Sequence, residues 1–326
     1  MPLPRVAVLD DYQQAALRSA DWGPVTSRAE VTVFTAPLGS LDETAAALEP
    51  FTVIAAMRER TPFPAALLDR LPQLRLLVTT GMRNASIDLP AAQRQGVTVC
   101  GTGGSAAGTP ELTWALIMAL TRSVAAEDAR IRAGGWQSTV GRELAGRTLG
   151  LLGLGRIGAR VAGYGRAFGM DVLAWSQNLT ADRAESCGAR LVDKAGLFRE
   201  SDVVSVHVQL SDRTRGLVGA TELGLLGPDG YLVNTSRGPI ADEAALLAAL
   251  HGGTIAGAGL DVFGTEPLPA GHPLRSAPRT VLTPHLGYVT DRGYEVFFAD
   301  TVEDIVAWLD GVPVRVLRPD PAGPAT

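Results

Sequence analysis

Twelve residues constrain the fold of this chain more than any others: Arg147-Thr148-Leu149-Gly150-Leu151-Leu152-Gly153-Leu154-Gly155-Arg156-Ile157-Gly158. An apolar run of strand length, Leu149 to Leu152, stops at Gly153. A helical pattern opens behind it, with Ile157, Val161 and Phe168 among its apolar positions. Gly153, Gly155 and Gly158 thus form a G-x-G-x-x-G turn between strand and helix. Each stands where a Cβ would interfere, with a tight turn, with close backbone approach to a pyrophosphate, or with packing of helix on strand. The helix N-terminus adds N–H groups and a partial positive charge for phosphates, including the first-turn residues Arg156 and Ile157. In this setting the triplet predicts dinucleotide binding. The alternative is an ordinary βα turn that binds nothing.

On either side of that turn the chain alternates short apolar runs with helical stretches. Before it, strands are expected at Val6–Leu9, Val31–Phe34, Thr52–Ala55, Leu74–Val78 and Val97–Cys100, with helices near Gln13–Ser19, Leu41–Leu48, Pro64–Leu71 and Leu89–Gln95. Thr109-Pro110-Glu111 reads as N-cap, N1 proline and acidic first turn of a helix running to about Arg132. Its segment Trp114 to Leu120 is apolar on every side, so it needs cover at a domain junction or a subunit interface. After it, strands are expected at Leu149–Leu152, Asp171–Trp175, Leu191–Val192, Val203–Val208, Tyr231–Asn234, Ile255–Asp261 and Val281–Thr283. Helices are expected over Arg156–Phe168, Asp242–Leu250 (capped by Asp242) and Asp291–Asp310, and the tail from Arg318 to Thr326 reads as disordered. Such alternation predicts parallel sheets covered by helices, an α/β protein. With 326 residues, two domains are the better expectation. A complete α/β unit precedes the glycine turn, so residues 104–287 are expected to form the dinucleotide-binding domain. Residues 1–103 with 288–326 are expected to form a substrate domain, with a cleft facing the carboxyl ends of the strands.

Composition removes several functions. The 29 basic and 34 acidic residues give a net charge of −5 without a basic tract, which argues against nucleic acid. No apolar run approaches the roughly 20 residues that span a bilayer. Cys100 and Cys187 offer neither metal spacing nor a disulfide framework and fit a reducing cytoplasm, and no signal peptide is visible. No Cys/His/Asp cluster stands at ligand spacing, so no metal site is expected.

The second strand of the dinucleotide domain ends in Ser176-Gln177-Asn178 rather than in the acidic residue that holds a ribose 2′-hydroxyl. NAD and NADP both stay open as cofactors. Three polar residues follow strand-like runs: Arg237 after Tyr231–Ser236, Glu266 after Ala258–Thr265, His285 after Val281–Pro284. Taken singly these are a surface cation, a loop acid and a loop histidine. Together they suit reduction of a 2-keto acid. A guanidinium offers a planar fork to the substrate carboxylate, an imidazolium protonates the developing alkoxide, and a neighbouring carboxylate favours the charged ring.

These residues resemble a known family. The glycine turn, Thr235-Ser236-Arg237-Gly238-Pro239, Gly259-Leu260-Asp261-Val262-Phe263 with Glu266-Pro267-Leu268, and Thr283-Pro284-His285-Leu286-Gly287 are similar to the D-isomer-specific 2-hydroxyacid dehydrogenases. The resemblance implies a Rossmann domain inserted into a flavodoxin-like domain, dimerising through the Rossmann half. It implies that Arg237 binds substrate, that His285 paired to Glu266 is the acid/base, and that Asp261 orients the nicotinamide carboxamide. It places His207, Thr214 and Thr235 with Ser176 among the cofactor contacts. Gly81, Met82 and Arg83 in the loop Thr80–Asp88, and Tyr288, fall at substrate positions. The chain departs from the family at Gln209, Arg83, Ala85, Ser86 and Tyr288. Arg83, with Arg58 or Arg60, would favour a substrate with a second anionic group; otherwise these arginines pair with Glu59 or face water. The expected partner is a small anionic 2-keto or 2-hydroxy acid. Corepressors that sense dinucleotides resemble the same family, so an interaction protein is the alternative to an enzyme.

Overall fold

The structure, a computed structural model, describes residues Leu3 to Pro319. The expected disorder of the tail falls, beyond Pro319, outside the described residues. The chain divides into two compact units, Met1–Ser105 with Thr290–Thr326, and Ala106–Val289.

The first unit carries β1 (Arg5–Val8), β2 (Glu30–Val33), β3 (Val53–Ala56), β4 (Leu76–Thr79) and β5 (Thr98–Gly101), in the order β2-β1-β3-β4-β5 and parallel throughout. That is the flavodoxin-like order. The inner strands β3 and β4 are buried at every residue, whereas β2, at the edge, alternates between exposed and half-buried. Helices cover both faces, which is why the inner strands read as unbroken apolar runs. Ser40 and Glu43 form a capping box for the helix Leu41–Leu48. Its Leu48 joins Phe63, Leu67, Leu68, Leu71 and Leu77 in the core, each adding about 1.5–3 kcal/mol on burial. The far edge, β5, is covered by residues 315–317. Gly101 N donates to Arg315 O at 3.1 Å and Leu317 N to Val99 O at 2.8 Å. This pairing blunts a strand edge that would otherwise be open.

One expected helix is absent here. Gln13–Ser19 forms only a 3₁₀ turn, Ala16–Arg18, followed by a short helix Gly23–Thr26. The Asp11 carboxylate takes the N–H groups of Ala15 and Ala16 at 2.8 and 2.9 Å, and Gln14 adopts φ +51°. A side chain that competes locally for backbone donors turns the chain before a helix can propagate.

The second unit carries β6 (Thr148–Leu152), β7 (Asp171–Trp175), β8 (Arg190–Leu191), β9 (Val203–Val206), β10 (Tyr231–Asn234), β11 (Gly257–Leu260) and β12 (Thr280–Leu282). Their order is β12-β11-β10-β9-β6-β7-β8, parallel throughout. The chain runs outward from β6 through β7 to β8, then returns to β9 and runs the other way. β6 and β9 therefore flank the topological switch point of a Rossmann sheet. The helix Arg156–Ala167 follows β6. Three short helices that hydrophobic spacing did not announce, Ala181–Ser186, Lys194–Arg199 and Ala220–Leu226, complete the cover. The helix Glu243–Gly252 begins at the expected cap, Asp242, which accepts from Ala245 N at 3.0 Å.

The long helix expected from Thr109 to Arg132 is two helices, Gly108–Thr121 and Val124–Arg132. Ser123 adopts φ +52° between them, and Arg142 N claims the Thr121 carbonyl at 2.7 Å, a group that a continuous helix would use itself. The helix also starts two residues early, capped at Ala107 instead of Thr109. Thr109 is not its cap; its hydroxyl donates to Gly287 O at 2.9 Å. Thr113, Leu116, Ile117 and Leu120 are buried, and Trp114 packs on Tyr164 and Phe168. The apolar face is therefore covered from within this unit.

Candidate active site

The glycine turn sits at the switch point, and its three glycines divide the work. Gly153 has φ +106°, and a Cβ there would lie 2.8–2.9 Å from the backbone of His207 and Val208, the residues that follow β9. A Cβ at Gly158 would lie 2.2 Å from Gly153 O, so the helix packs against the turn only because that atom is missing. A Cβ at Gly155 would meet nothing within 4 Å. Gly155 caps a helix of 12 residues and faces open space, with Arg156 exposed and Ile157 half-buried in the first turn. An open cradle at a helix N-terminus suits a pyrophosphate.

The other residues expected near a cofactor fall on the carboxyl ends of neighbouring strands. Ser176 follows β7, whose last carbonyl, of Trp175, accepts from Gly153 N at 2.8 Å. His207 follows β9 and bonds Ser205 Oγ through Nε2 at 2.9 Å. Burial pulls its imidazole down to a pKa of about 4, so it is neutral near pH 7. Thr214 closes the next loop, donating to Gln209 O at 2.6 Å and accepting from Ser211 N at 2.8 Å. Thr235 is buried, with its hydroxyl 2.8 Å from that of Thr113.

Arg237, Glu266 and His285 come from three loops of this unit: the last two bond directly, and Arg237, whose guanidinium donates to Ser236 O at 2.7 Å, is near enough for its charge to act on Glu266. Arg237 follows β10 in a turn organised by Asn234, whose side chain donates to Arg237 O at 2.9 Å and accepts from Ser236 N at 3.0 Å. Gly238 comes next because a Cβ there would lie 2.1 Å from the Phe263 carbonyl carbon. That close approach brings the arginine turn against the loop that carries Glu266. Glu266 was expected at the end of a strand-like run; it lies six residues beyond β11, in a loop. One of its oxygens accepts from Phe263 N at 2.8 Å and the other bonds His285 Nδ1 at 2.6 Å. Burial pushes its carboxyl up, but the bond to His285, that ring's charge, the Phe263 N–H and Arg237 outweigh burial and hold it below its ordinary value. It is therefore ionised and can only accept, so Nδ1–H donates and Nε2 is the nitrogen left for chemistry.

His285 has φ +54°, an uncommon conformation for a residue with a side chain. Asp261, fully buried at the end of β11, holds it there. Its carboxylate accepts from Thr283 Oγ1 at 2.6 Å, Leu286 N at 2.7 Å and Gly287 N at 2.9 Å, and its carbonyl accepts from His285 N at 2.8 Å. Burial raises the Asp261 pKa against these bonds. Asp261 thus builds the histidine loop. Tyr288 places its ring 5.3 Å from the His285 ring, edge to face. Sequence reasoning missed the structural parts of Asn234 and Asp261, although a polar residue at the carboxyl end of an otherwise apolar strand is a readable signal.

The residues of the other unit are organised separately. Gly81, after β4, has φ +91° and donates to Thr102 Oγ1 at 2.8 Å. Met82 and Arg83 are exposed. Arg58 folds back onto Thr80 O at 3.1 Å and lies 3.7 Å from Glu59, and Arg60 donates to Asp10 O at 2.6 Å above the Tyr12 ring. Arg58 thus follows the pairing alternative, and Arg83 is the exposed cation of the three. His251 lies in a last helical turn and His272 pairs with Glu243 at 3.2 Å. Among the described residues no group of three or more His, Cys, Asp or Glu stands where it could hold a metal ion.

A doubly wound sheet with a glycine cradle at its switch point, and an arginine beside a carboxylate-paired histidine, defines a dinucleotide-linked oxidoreductase. A model described as D-isomer specific 2-hydroxyacid dehydrogenase, NAD binding domain, matches residues 114–287. The chain is 40% identical over 263 residues to the glyoxylate reductase of Aeropyrum pernix, covering 77% of this chain and 78% of that one. It is 34% identical over 274 residues to the glycerate dehydrogenase of Methylorubrum extorquens, covering 81% and 85%. A crystal structure of phosphoglycerate oxidoreductase from Vibrio cholerae superposes with a TM-score of 0.90 at 37% identity, covering 95% of this chain and all of that one. The chain belongs to the D-isomer specific 2-hydroxyacid dehydrogenase family. It is accordingly a nicotinamide-linked oxidoreductase of the CH–OH group, acting on 2-keto and 2-hydroxy acids. No helix of the described residues is long and apolar enough to cross a membrane.

Proposed function

We propose that the protein interconverts a small 2-keto acid and its D-2-hydroxy acid, with Arg237, Glu266 and His285 as the reacting machinery. The observation that carries this reading is the 2.6 Å bond between Glu266 and His285 Nδ1, beside the charge of Arg237. Arg237 grips the substrate carboxylate and polarises the keto oxygen. His285 donates a proton from Nε2 to the oxygen as the carbon is reduced and takes it back in the reverse direction. Glu266 keeps the ring in the tautomer that presents Nε2 and stabilises the imidazolium. A bound nicotinamide supplies or accepts the hydride. Gly153, Gly155, Gly158 and the first helical turn would hold its pyrophosphate, and Ser176, His207, Thr214 and Thr235 would line the rest. Ser176, Gln177 and Asn178 set no carboxylate against a 2′-phosphate, so NAD and NADP both stay open as the cofactor. The loop around Gly81, Met82 and Arg83 recognises the rest of the substrate.

A panel of glyoxylate, hydroxypyruvate, 3-phosphohydroxypyruvate and oxaloacetate, run with each cofactor, tests the reading. Turnover lost in Arg237→Ala and His285→Ala at unchanged cofactor affinity supports it. Tight cofactor binding with no turnover on any keto acid would favour the sensing alternative.

We propose further that the protein is a cytoplasmic homodimer. The helix Val124–Arg132 buries none of its residues, and Val124, Ile131, Trp136 (71% exposed) and Val140 (98% exposed) are exposed apolar side chains that a second copy would cover. Two free thiols suit a reducing compartment. A monomeric mass in sedimentation equilibrium would refute the dimer.

A further inference from the structure

The bond from Nδ1 to Glu266 pins one corner of the His285 imidazole. A ring held at one corner still rocks about that bond, and a few tens of degrees move the opposite nitrogen by about an ångström. Displacement on that scale is enough to cost up to about 100-fold in rate. Something must bear on the ring itself. Tyr288 does: its centroid lies 5.3 Å from that of the imidazole at an interplanar angle of 68°, inside the favoured range for edge-to-face pairs.

The two rings also share a rigid base. Between them Gly287 is clamped, its N–H donating to Asp261 at 2.9 Å and its carbonyl accepting from Thr109 at 2.9 Å. A Cβ on Gly287 would stand 3.0 Å from Thr109 Oγ1 and 3.2 Å from Asp261, so the segment has little room to shift. Tyr288 is thus set against the imidazole by its own backbone.

We infer that Tyr288 is a positioning residue, whose ring stops the His285 imidazole from rocking off the line to the substrate oxygen. This rests on the acid/base reading of His285. It differs from the substrate contact expected at this position, because the ring acts through the histidine. An aromatic pair of this geometry biases orientation by about two- to tenfold, and the rate effect of removing it is of that size.

The test compares Tyr288→Ala, Tyr288→Leu and Tyr288→Phe, with His285→Ala as control. Tyr288→Ala and Tyr288→Leu should lower kcat about tenfold, with KM for the keto acid and cofactor affinity within about twofold. Tyr288→Phe should restore kcat, because the ring and not the hydroxyl bears on histidine. In the cofactor-free protein the carbon-bound proton resonances of His285, identified by their loss in His285→Ala, should move in the Ala and Leu variants and hold in Phe. Unmoved resonances, a loss confined to KM, or a Phe variant as impaired as Ala would each overturn the inference. If His285→Ala itself retains turnover, the acid/base reading falls. If His285→Ala is inactive while Tyr288→Ala is normal, only the positioning role falls.

Discussion

Replacing Glu266 by glutamine removes a charge and almost no volume, and the structure says what that should do. Glu266 accepts two hydrogen bonds on different oxygens, from His285 Nδ1 at 2.6 Å and Phe263 N at 2.8 Å. Glutamine has one acceptor oxygen. If it keeps the backbone bond, an NH₂ donor faces the Nδ1–H donor, and the ring must turn or change tautomer. A hydrogen bond to a charged group is worth about 1.5–3 kcal/mol, which corresponds to about a 10- to 150-fold loss in kcat/KM. An upper bound comes from the lost attraction between carboxylate and imidazolium. At about 4 Å and an effective dielectric of about 20 it amounts to about 4 kcal/mol, or about a thousandfold. The assay is steady-state keto-acid reduction followed through the nicotinamide absorbance, with cofactor binding measured separately by fluorescence. A loss below about threefold, or one carried wholly by cofactor affinity, would refute the pairing as a catalytic device. The same substitution has a stability signature. Glu266 is held below its ordinary value of 4.5, so its contribution is present above that value and is lost as pH falls through its lower folded value. The wild type should therefore lose stability below about pH 4.5 by a component that Glu266→Gln lacks.

Arg237→Lys keeps the charge and discards the planar fork, so kcat/KM should fall about 100-fold with the cofactor dissociation constant unchanged; near-normal rates would contradict carboxylate binding. Gly158→Ala places a Cβ 2.2 Å from the Gly153 carbonyl oxygen, which is backbone and cannot swing away. The turn must open, and cofactor affinity should fall by about tenfold or more by calorimetry; unchanged affinity would refute the part given to the glycines. Asp304, fully buried in the first unit, has one oxygen on Arg315 Nε at 3.1 Å and the other with no hydrogen-bond partner. Burial raises its pKa from 3.8 to about 7. A raised carboxyl stabilises the fold below its unfolded value and loses that contribution as pH rises through the folded one. Urea midpoints of the wild type should thus fall between pH 5 and pH 8 relative to Asp304→Asn, and parallel curves would refute the assignment.

Local chemistry announced a good deal of this. Strands that are central in a parallel sheet are apolar at every residue, so β3, β4 and β9 were legible as runs, and Asp171–Trp175 and Tyr231–Asn234 appear with the expected bounds. The helix from Leu41 was legible because its cap is a local motif. The helices that failed did so for particular reasons. Asp11 diverts the donors of Ala15 and Ala16, and Arg142 takes the carbonyl of Thr121. Neither competitor shows in hydrophobic spacing, and the second is 21 residues away in the chain.

At the site the division is similar. The glycine spacing and the residue types Arg237, Glu266 and His285 stand in the sequence, because each role depends on what one side chain can do. Their meeting does not. It needs Gly238 to let one turn pass against the Phe263 backbone, Asn234 to fix the arginine turn, and Asp261 to hold His285 at φ +54°. An α/β chain with a dinucleotide turn, and the chemical kinds of its reacting groups, are written residue by residue along the chain. Tertiary structure alone decided that a carboxylate and an imidazole 19 residues apart share one proton position. The reason is physical: propensity and periodicity act over a few residues, whereas hydrogen-bond geometry between loops is fixed only when distant strands are packed side by side.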